Sequence, residues 1–288
     1  MTSIGDGLER GTQMLIQAGL QSPRLDAQVL LGHVLCLERA TLYAYPEREI
    51  TAEQERQFLA LIEQRVHGEP VAYLIKSKAF YGRDFFVDQR VLIPRPETEL
   101  LVEAALAAIR CKIVAGQMPV VADIGTGSGI IPITLAAEET SLPYLYACDI
   151  SADALDVAAI NCQRHHVENR VRLLQGDLLT PLPEPVDVLT ANLPYVGTDE
   201  IEDLAPDVHA YEPHLALFSG VQGLGLLQRF CQEVQQSCML KSEGVMILEI
   251  GYRQCEPLTR LLHDLWPHST IACHKDYAGW DRLLQITV

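Results

Sequence analysis

Strands and helices alternate along most of the chain, and this alternation restricts the fold more than any other feature of the sequence. Runs of β-branched and aliphatic residues predict strands at residues 119–123, 144–149, 171–174, 186–191 and 244–250. Apolar residues at helical spacing predict helices at residues 130–138, 152–165 and 224–239. Such alternation with short connections predicts an α/β fold with a parallel, doubly wound sheet. We interpret residues 269–274 and 283–288 as its edge strands.

The first part of the chain has a different pattern, in which apolar residues recur at helical spacing. Ser22 followed by Pro23 predicts one helix start, and Thr51 with Gln54 predicts a capping box at another. Short aromatic and β-branched runs between residues 73 and 93 predict hairpin strands. We therefore predict three parts: a helical domain over residues 1–72, a β-hairpin linker over residues 73–94 and the α/β domain over residues 95–288.

A glycine-rich loop follows the first predicted strand of the α/β domain. It consists of Asp123, Ile124, Gly125, Thr126, Gly127, Ser128 and Gly129. In an open α/β sheet, ligands bind beyond the carboxyl ends of the strands, and glycine lets the backbone approach a ligand closely. The glycines stand at i, i+2 and i+4, which departs from the dinucleotide fingerprint, and no Gly-Lys-Ser/Thr follows as in a P-loop. The spacing therefore disfavours both of these phosphate-binding motifs.

Acidic residues mark the ends of the next two predicted strands. Asp149 ends the second strand, where a carboxylate in dinucleotide folds accepts the hydroxyl hydrogens of a ribose. Asp177 follows the third strand at a position suited to an adenine amino group, with Leu178 against the ring. Each aspartate alone is equally consistent with a turn. Together with the glycine-rich loop, they resemble the class I methyltransferase fold, which binds S-adenosylmethionine.

The motif Asn192-Leu193-Pro194-Tyr195 follows the fourth predicted strand. An amide nitrogen is a poor nucleophile because its lone pair is delocalised, so an enzyme that methylates it has to accept both N–H hydrogens and orient the nitrogen. Asn192 Oδ1 can accept one hydrogen, the backbone carbonyl of Leu193 the other, and Tyr195 can stack on the planar amide. The motif resembles the Asn-Pro-Pro-Tyr motif of amino methyltransferases, which act on adenine, cytosine or glutamine. Leu193 replaces its first proline and keeps the backbone carbonyl.

Other parts of the chain resemble one family among these enzymes, the release factor glutamine methyltransferases (HemK/PrmC). The resemblance rests on Gly68-Glu69-Pro70 with Tyr73, Phe80-Tyr81-Gly82, residues 92–99, Tyr211-Glu212-Pro213, Ala216-Leu217, Gly223-Leu224, Glu249-Ile250-Gly251, Gln254 and Asp281-Arg282. It implies a seven-stranded class I methyltransferase sheet with a small helical substrate-recognition domain joined by a β-hairpin. It also implies methylation of the glutamine in the Gly-Gly-Gln loop of peptide-chain release factors.

The same resemblance implies roles for individual residues. The positions implied to bind S-adenosylmethionine, which becomes S-adenosylhomocysteine, are Gly125, Thr126, Gly127, Ser128, Gly129, Asp149, Asp177, Leu178 and Asn192. The positions implied to bind the substrate glutamine are Asn192, Leu193, Pro194 and Tyr195, with Asn192 and Tyr195 as the catalytic residues.

The net charge of the chain indicates which classes of molecule it can bind. The formal net charge is −16, and −14 of it falls on residues 95–288. A protein this acidic is poorly suited to hold a phosphate backbone, which argues against stable nucleic acid binding and against a DNA adenine methyltransferase. A glutamine methyltransferase of a ribosomal protein remains an alternative. Acidic residues follow the motif and form either a solvated loop or a surface that steers a basic release factor: Asp199, Glu200, Glu202, Asp203, Asp207 and Glu212.

The remaining patterns predict neither a metal site nor a membrane segment. The eight cysteines form no C-x-x-C pair, which favours reduced thiols over a disulfide framework or a zinc site. The nine histidines lack the spacing of metal ligands. No apolar run approaches the ~18 residues that a transmembrane helix needs. The first ten residues lack the pattern of a signal peptide. We therefore expect a cytoplasmic enzyme.

Overall fold

The computed structural model describes residues 2–288, apart from the side chain of Asp203. The chain divides into two compact units. Unit 1 contains Met1–Ser77 and Ala205–Tyr211, and unit 2 contains Lys78–Leu204 and Glu212–Val288. Met1, where the predicted helical domain begins, lies outside the described residues.

The helices of unit 1 pack around one apolar core. They are α1 (Ile4–Gln17), α2 (Pro23–Leu35), α3 (Arg39–Ala44), α4 (Ala52–Val66) and α5 (Val71–Leu74), and a small sheet pairs β1 (Thr2–Ser3) with β2 (Glu49–Ile50). Helices α1 and α4 approach closely at Gly11, where an added Cβ would lie 2.6 Å from the Phe58 ring. Glycine at this position therefore allows the two helices to touch.

Two helices of unit 1 begin with a capping box. The box predicted at Thr51 and Gln54 is confirmed at the start of α4. Helix α1, which the sequence pattern did not reveal, begins in the same way at Ser3 and Asp6. In both boxes, side chains accept hydrogen bonds from backbone N–H groups that the first turn of a helix leaves unpaired.

Two predictions for unit 1 need correction. Ser22 precedes α2 as predicted, but its side chain makes no capping hydrogen bond, and the start of the helix is marked by Pro23 in its first turn. Residues 73–75 were expected to be strand. They lie within and just after α5, a short helix that begins directly after Pro70.

Helix α9 (Pro206–Tyr211) belongs to unit 1, although it is far from the other helices in sequence. Asp207 lies 3.5 Å from Nη1 of Arg65, and the Tyr211 hydroxyl donates a hydrogen bond of 3.0 Å to the His67 carbonyl. These contacts attach α9 to the end of α4.

A hairpin opens unit 2, as predicted. It pairs β3 (Lys78–Phe80) with β4 (Arg83–Phe85) in antiparallel register. Its turn consists of Tyr81 and Gly82, both in the left-handed region with φ of 49° and 71°. Two such residues are typical of the two-residue turns that match strand twist. Residues 91–93, another predicted strand run, form no strand.

The rest of unit 2 is built on a seven-stranded sheet. Its strands are β5 (Val121–Ile124), β6 (Leu145–Asp149), β7 (Val171–Gln175), β8 (Val186–Ala191), β9 (Leu240–Glu249), β10 (Thr270–Lys275) and β11 (Asp281–Thr287). They lie in the order β10-β11-β9-β8-β5-β6-β7. Its helices are α6 (Thr98–Val114), α7 (Ile130–Glu138), α8 (Ala152–Arg164), α10 (Gly225–Ser237) and α11 (Cys255–Leu265). Short 3-10 helices lie at Ile201–Asp203, His214–Ala216 and Val221–Gly223.

The predicted α/β class and doubly wound sheet are confirmed, with one correction to the strand order. Strands β5 to β9 are parallel, but β11 is antiparallel to both β9 and β10 and lies between them. The sheet is therefore mixed, and β11 is an interior strand. Side chains alternate between two apolar cores: Val188 faces the core that contains residues of α6, α7 and α8, and Leu189 faces the core that contains residues of α10 and α11.

Cysteine pairing differs from the prediction. Cys255, the first residue of α11, and Cys273 on β10 form a disulfide with Cα atoms 6.6 Å apart. The fold brings together two residues that are 18 apart in sequence. The other six cysteines are free, as expected. Within residues 2–288, no helix combines the length and apolar character needed to cross a bilayer.

Candidate active site

A cavity of about 310 Å³ opens at the carboxyl edge of the central strands of unit 2. Ten of the predicted site residues line it: Gly125, Thr126, Gly127, Ser128, Asp149, Asp177, Leu178, Asn192, Leu193 and Pro194. Gly129 and Tyr195 are not among its lining residues. Because parallel strands end at the same edge, residues from four separate loops surround one space.

The glycine-rich loop has a backbone conformation that favours glycine. Gly125, Gly127 and Gly129 have φ of 74°, 55° and 81°. An added Cβ on Gly125 would lie 2.9 Å from Cδ2 of Leu193, whereas one on Gly127 would meet no atom within 4 Å. Gly129 packs instead against Ile133, with only 2.9 Å available for a Cβ. Gly127 thus leaves open space on the cavity side, and Gly129 lets α7 begin directly after the loop.

Asp149 connects the loop to the next strand. Its Oδ2 accepts the N–H of Gly127 at 2.8 Å, and its Oδ1 accepts the N–H of Ser151 at 2.9 Å. Burial raises the pKa of Asp149, and these backbone hydrogen bonds oppose the rise. A carboxylate has about four acceptor positions, so the two used here leave others for ligand hydroxyls.

Asp123 lies below the loop and is completely enclosed. Only 1% of its surface is exposed, and its Oδ1 accepts the Thr190 hydroxyl at 2.8 Å. Its Oδ2 and the Thr126 hydroxyl are buried without a hydrogen-bond partner among the described residues. Burial raises the pKa of Asp123 to about 7, because the charged form loses hydration.

Asp177 has a partner that the sequence did not indicate. Its carboxylate forms an ion pair with Arg229 of α10, and both side chains are nearly half exposed. Leu178 is buried and has a φ of 47°, so the chain turns sharply after Asp177. The structure therefore places both residues at the cavity, while the proposed adenine contact of Asp177 remains a prediction.

Asn192 lies at the cavity in a defined orientation. Its Nδ2 donates a hydrogen bond of 3.2 Å to Oγ1 of Thr98, a completely buried residue at the start of α6. Within the described part of the chain, no hydrogen bond occupies Asn192 Oδ1. Leu193 is 3% exposed and packs against Gly125. One acceptor atom of the motif is thus available to a ligand.

Tyr195 points into the protein. Its hydroxyl donates a hydrogen bond of 3.1 Å to Oε1 of Glu249, the last residue of β9. Burial and the neighbouring carboxylate raise the pKa of Tyr195, which keeps the hydroxyl protonated and able to donate. Gln254 Nε2 donates to the backbone carbonyl of Tyr195 at 2.9 Å. Both ends of this residue are therefore held, and its predicted stacking role remains a prediction.

The sequence analysis missed several residues around the site. Thr98 and Arg229 line the cavity, and neither was identified as a site residue. Glu249 and Gln254 were noted only as part of a family resemblance. A general signal for Glu249 does exist, because a carboxylate at the end of an otherwise apolar strand is costly to bury without partners. Arg229 lies on the outer surface of a helix and carries no such signal.

The acidic segment after the motif is more structural than expected. Asp199 Oδ1 accepts the Gln222 N–H at 2.9 Å, and Glu200 Oε2 accepts the Gly197 N–H at 3.1 Å. Glu212 is 3% exposed and lies 2.6 Å from Arg95. Asp207 makes the Arg65 contact described above. Glu202 is exposed, and the side chain of Asp203 lies outside what the structure describes. The steering hypothesis therefore applies to the segment only in part.

One group of potential metal ligands occurs in the described range, formed by Cys255, Cys273 and Asp281. None of the three lines the cavity, and Asp281 is paired with Lys275 at 2.7 Å. The cavity itself is lined by glycine backbone, apolar side chains and a few polar or charged side chains, among them Asp149, Asp177 and Arg229, an arrangement typical of sites for organic ligands.

Comparisons with known proteins give consistent results for both parts of the chain. The family model described as PrmC N-terminal domain matches residues 6–75, and the model described as Ribosomal protein L11 methyltransferase (PrmA) matches residues 103–238. The release factor glutamine methyltransferase of Chlorobaculum tepidum is 41% identical and covers 97% of this chain and 95% of its own length. The corresponding enzyme of Koribacter versatilis is 40% identical over 91% of each chain. That of Bacillus subtilis is 34% identical over 99% of this chain and 97% of its own.

Solved structures support the fold. The hMettl16 catalytic domain, crystallised with the MAT2A 3'UTR hairpin 6, matches with a TM-score of 0.58. It is 15% identical and covers 82% of each chain. At this identity the match concerns the fold alone.

Proposed function

This chain belongs to the release factor glutamine methyltransferase family, and on that premise we propose that it methylates the side-chain amide nitrogen of a glutamine in a peptide-chain release factor. The observation that carries the proposal is Asn192, which lines the cavity and whose Nδ2 is hydrogen-bonded to Thr98, while no described residue hydrogen-bonds its Oδ1. The substrate residue is the glutamine of a Gly-Gly-Gln loop, as the sequence resemblance implies.

The cavity has the features that S-adenosylmethionine requires. Gly127 leaves open space, Asp149 retains acceptor positions for ribose hydroxyls, and Leu178 offers an apolar surface for an adenine ring. When bound, S-adenosylmethionine supplies the methyl group as an activated sulfonium. We propose that Asp149 and residues 125–129 hold this molecule.

The protein's own groups orient the amide. Asn192 Oδ1 accepts one amide hydrogen, and the backbone carbonyl of Leu193 accepts the other, which directs the nitrogen toward the methyl group. No metal has a role in this proposal, because the amide needs only two acceptors and a fixed position. A nitrogen that has gained a methyl group is strongly acidic, so its excess proton is readily lost to water.

The proposed partner is a protein. The negative charge of unit 2 disfavours a nucleic acid and suits a basic protein surface. Release factors act in translation, and the cytoplasm is accordingly the compartment that we propose. The match of residues 103–238 to a model for a ribosomal protein methyltransferase makes ribosomal proteins the appropriate competing substrates.

The test is direct identification of the methylated atom. Purified enzyme is incubated with isotope-labelled S-adenosylmethionine and with release factors, ribosomal proteins or duplex DNA in separate reactions. We expect label in the release factor alone, on one glutamine side chain by mass spectrometry, and far less label in the same time with the Asn192→Ala variant. Label on a ribosomal protein or on adenine, with none on the release factor, would overturn the proposed substrate.

A further inference from the structure

Two buried hydrogen bonds from the motif end at neighbouring side chains, Thr98 and Glu249. Asn192 Nδ2 donates to Thr98 Oγ1 at 3.2 Å, and the Tyr195 hydroxyl donates to Oε1 of Glu249 at 3.1 Å. The Thr98 hydroxyl lies beside the same carboxyl and lowers its pKa. Thr98 is 0% exposed and Glu249 is 1% exposed. Two side chains of the motif thus converge on one enclosed acid that the proposed chemistry does not itself use.

The direction of these hydrogen bonds follows from the groups present. A threonine hydroxyl has one hydrogen to donate and two lone pairs that accept. If Thr98 donates its hydrogen to Glu249, it can only accept from Asn192, so Asn192 has to present its NH₂ group. The Oδ1 atom is then left on the other side, toward the cavity. In that arrangement the acid determines which end of the Asn192 amide is offered to a substrate.

The sheet register explains how these groups meet. Ala191 of β8 pairs with Leu248 of β9 in parallel register, so the next residues, Asn192 and Glu249, occupy matching positions at the carboxyl edge. Thr98 reaches the same place as the first residue of α6. The contact between Asn192 and Thr98 spans 94 residues of sequence.

Burial of the Glu249 carboxyl costs free energy. Its Oε2 has no hydrogen-bond partner within the described residues. Burial raises the pKa of Glu249, while hydrogen bonds from Thr98 and Tyr195 and the charge of Arg282 oppose the rise. A buried carboxyl with one unpaired oxygen lowers stability relative to an apolar side chain.

We propose, on the basis of the function proposed above, that Thr98 and Glu249 are positioning residues for methyl transfer: they hold the Asn192 amide with Oδ1 toward the cavity and fix the Tyr195 ring beside it. Neither residue is proposed to contact the reacting atoms. Their contribution is orientation, which is effective only if the Asn192 amide does not rotate.

Single-turnover kinetics test the role of Thr98. Thr98→Val keeps the shape and removes the hydroxyl, so we expect kcat to fall by about 10- to 100-fold. Binding of S-adenosylmethionine should change by less than about twofold, since the hydroxyl serves Asn192. Thr98→Ser restores the hydroxyl and should remain within about threefold of the wild-type kcat. The matched control is Thr134→Val, which alters a completely buried threonine of α7 that does not line the cavity.

A double-mutant cycle separates positioning from general stability. If Thr98 acts through Asn192, Thr98→Val should lower the residual rate of the Asn192→Ala variant by less than about twofold. Glu249→Gln should lower kcat about tenfold in the wild-type background and by a smaller factor in Asn192→Ala, where only its contact with Tyr195 remains. Equal rate losses in both backgrounds, or kcat values for Thr98→Val and Glu249→Gln within threefold of wild type, would overturn the proposal.

A second measurement does not depend on activity. The chain contains three asparagines, Asn161, Asn169 and Asn192, so ¹⁵N-asparagine labelling yields three side-chain amide pairs in an NMR spectrum. The pair missing in Asn192→Ala belongs to Asn192. We expect its hydrogens to exchange slowly in wild type and Thr98→Ser and rapidly in Thr98→Val. Unchanged exchange of the Asn192 amide hydrogens in Thr98→Val would contradict the positioning role of Thr98, whatever the substrate is. If exchange becomes rapid in Thr98→Val but the release factor is not methylated by the wild type, only the proposed function is rejected.

Discussion

At the scale of single residues, replacement of Asn192 should have the largest effect on the reaction rate. Removing its side chain in Asn192→Ala leaves one amide hydrogen of the substrate without an acceptor. We expect kcat to fall roughly 10²- to 10³-fold, equivalent to about 2–4 kcal/mol of transition-state stabilisation. Single-turnover assays measure the rate, and calorimetry should give an S-adenosylmethionine affinity within about twofold of wild type. A variant that retains more than half of the wild-type rate would exclude Asn192 from this role.

Asp149 holds the glycine-rich loop and is proposed to bind the cofactor, and its replacement should affect both functions. Its carboxylate binds the N–H groups of Gly127 and Ser151 and is proposed to bind the ribose. Asp149→Ala should weaken S-adenosylmethionine binding by roughly 1–3 kcal/mol, measured by calorimetry. Asp153→Ala, which removes an exposed carboxylate from the first turn of α8, is the control and should bind normally. Unchanged affinity in a folded Asp149→Ala protein would remove Asp149 from the site.

Asp123 predicts a pH dependence of stability. Its pKa rises from 3.8 to about 7 on folding, so between these values the folded protein holds a proton that the unfolded chain releases. The stability that Asp123 contributes is therefore complete below about pH 4 and is lost as the pH rises through about 7. Asp123→Asn cannot titrate and should lack this part of the decline.

Urea unfolding at pH 5 and pH 8 measures the difference. From pH 5 to pH 8, the free energy of unfolding of the wild type should fall by roughly 1–4 kcal/mol more than that of Asp123→Asn. Asp153→Asn removes an exposed carboxylate and should keep the wild-type slope. Parallel declines in wild type and Asp123→Asn would show that Asp123 is ionised in the folded protein throughout this range.

At the scale of elements, the loop after β8 depends on its backbone more than on its second side chain. Among the described residues, the Leu193 N–H donates no hydrogen bond, so Leu193→Pro removes no donor in use, and the carbonyl remains. We expect activity within a few-fold of wild type. Because Leu193 is buried against Gly125, unfolding by urea should show a loss of about 1–3 kcal/mol. Severe loss of activity in a folded variant would indicate a loop geometry that proline cannot adopt.

At the scale of the whole molecule, the net charge of −16 should influence encounter with a basic release factor. We expect kcat/KM for the intact release factor to fall as salt rises, since exposed charges are screened over about 10 Å at 0.1 M. Methylation of a short Gly-Gly-Gln peptide should respond less. A flat salt response for the intact protein would reject electrostatic steering.

Two charge-reversal variants test which part of the surface is responsible for the electrostatic steering. Glu202 is exposed in the segment after the motif, whereas Asp199 and Glu200 hold that segment and are unsuitable for substitution. Glu202→Lys should lower kcat/KM for the release factor a few-fold at low salt. Glu168→Lys changes the net charge equally but lies before β7, at the amino edge of the sheet, and should have a smaller effect. Equal effects would indicate that only the total charge matters.

The sequence by itself determined the parts of this protein that depend on local pattern. Side-chain periodicity indicated the main strands, and Thr51 with Gln54 marked a helix start that the structure confirms. The glycine spacing and the acids at strand ends predicted which edge of the sheet holds the cavity, because every parallel strand delivers its carboxyl end there. Helices α1 and α11 were missed.

Only the tertiary structure decided which groups meet across the sheet. Tyr195 and Glu249, which are 54 positions apart, form one hydrogen bond, and Asn192 and Thr98, which are 94 positions apart, form another. The place of β11 between β9 and β10 and the bond between Cys255 and Cys273 likewise depend on packing. The physical reason is that periodicity and capping act over a few residues, whereas strand register and burial determine which distant polar atoms lie within a hydrogen bond of each other.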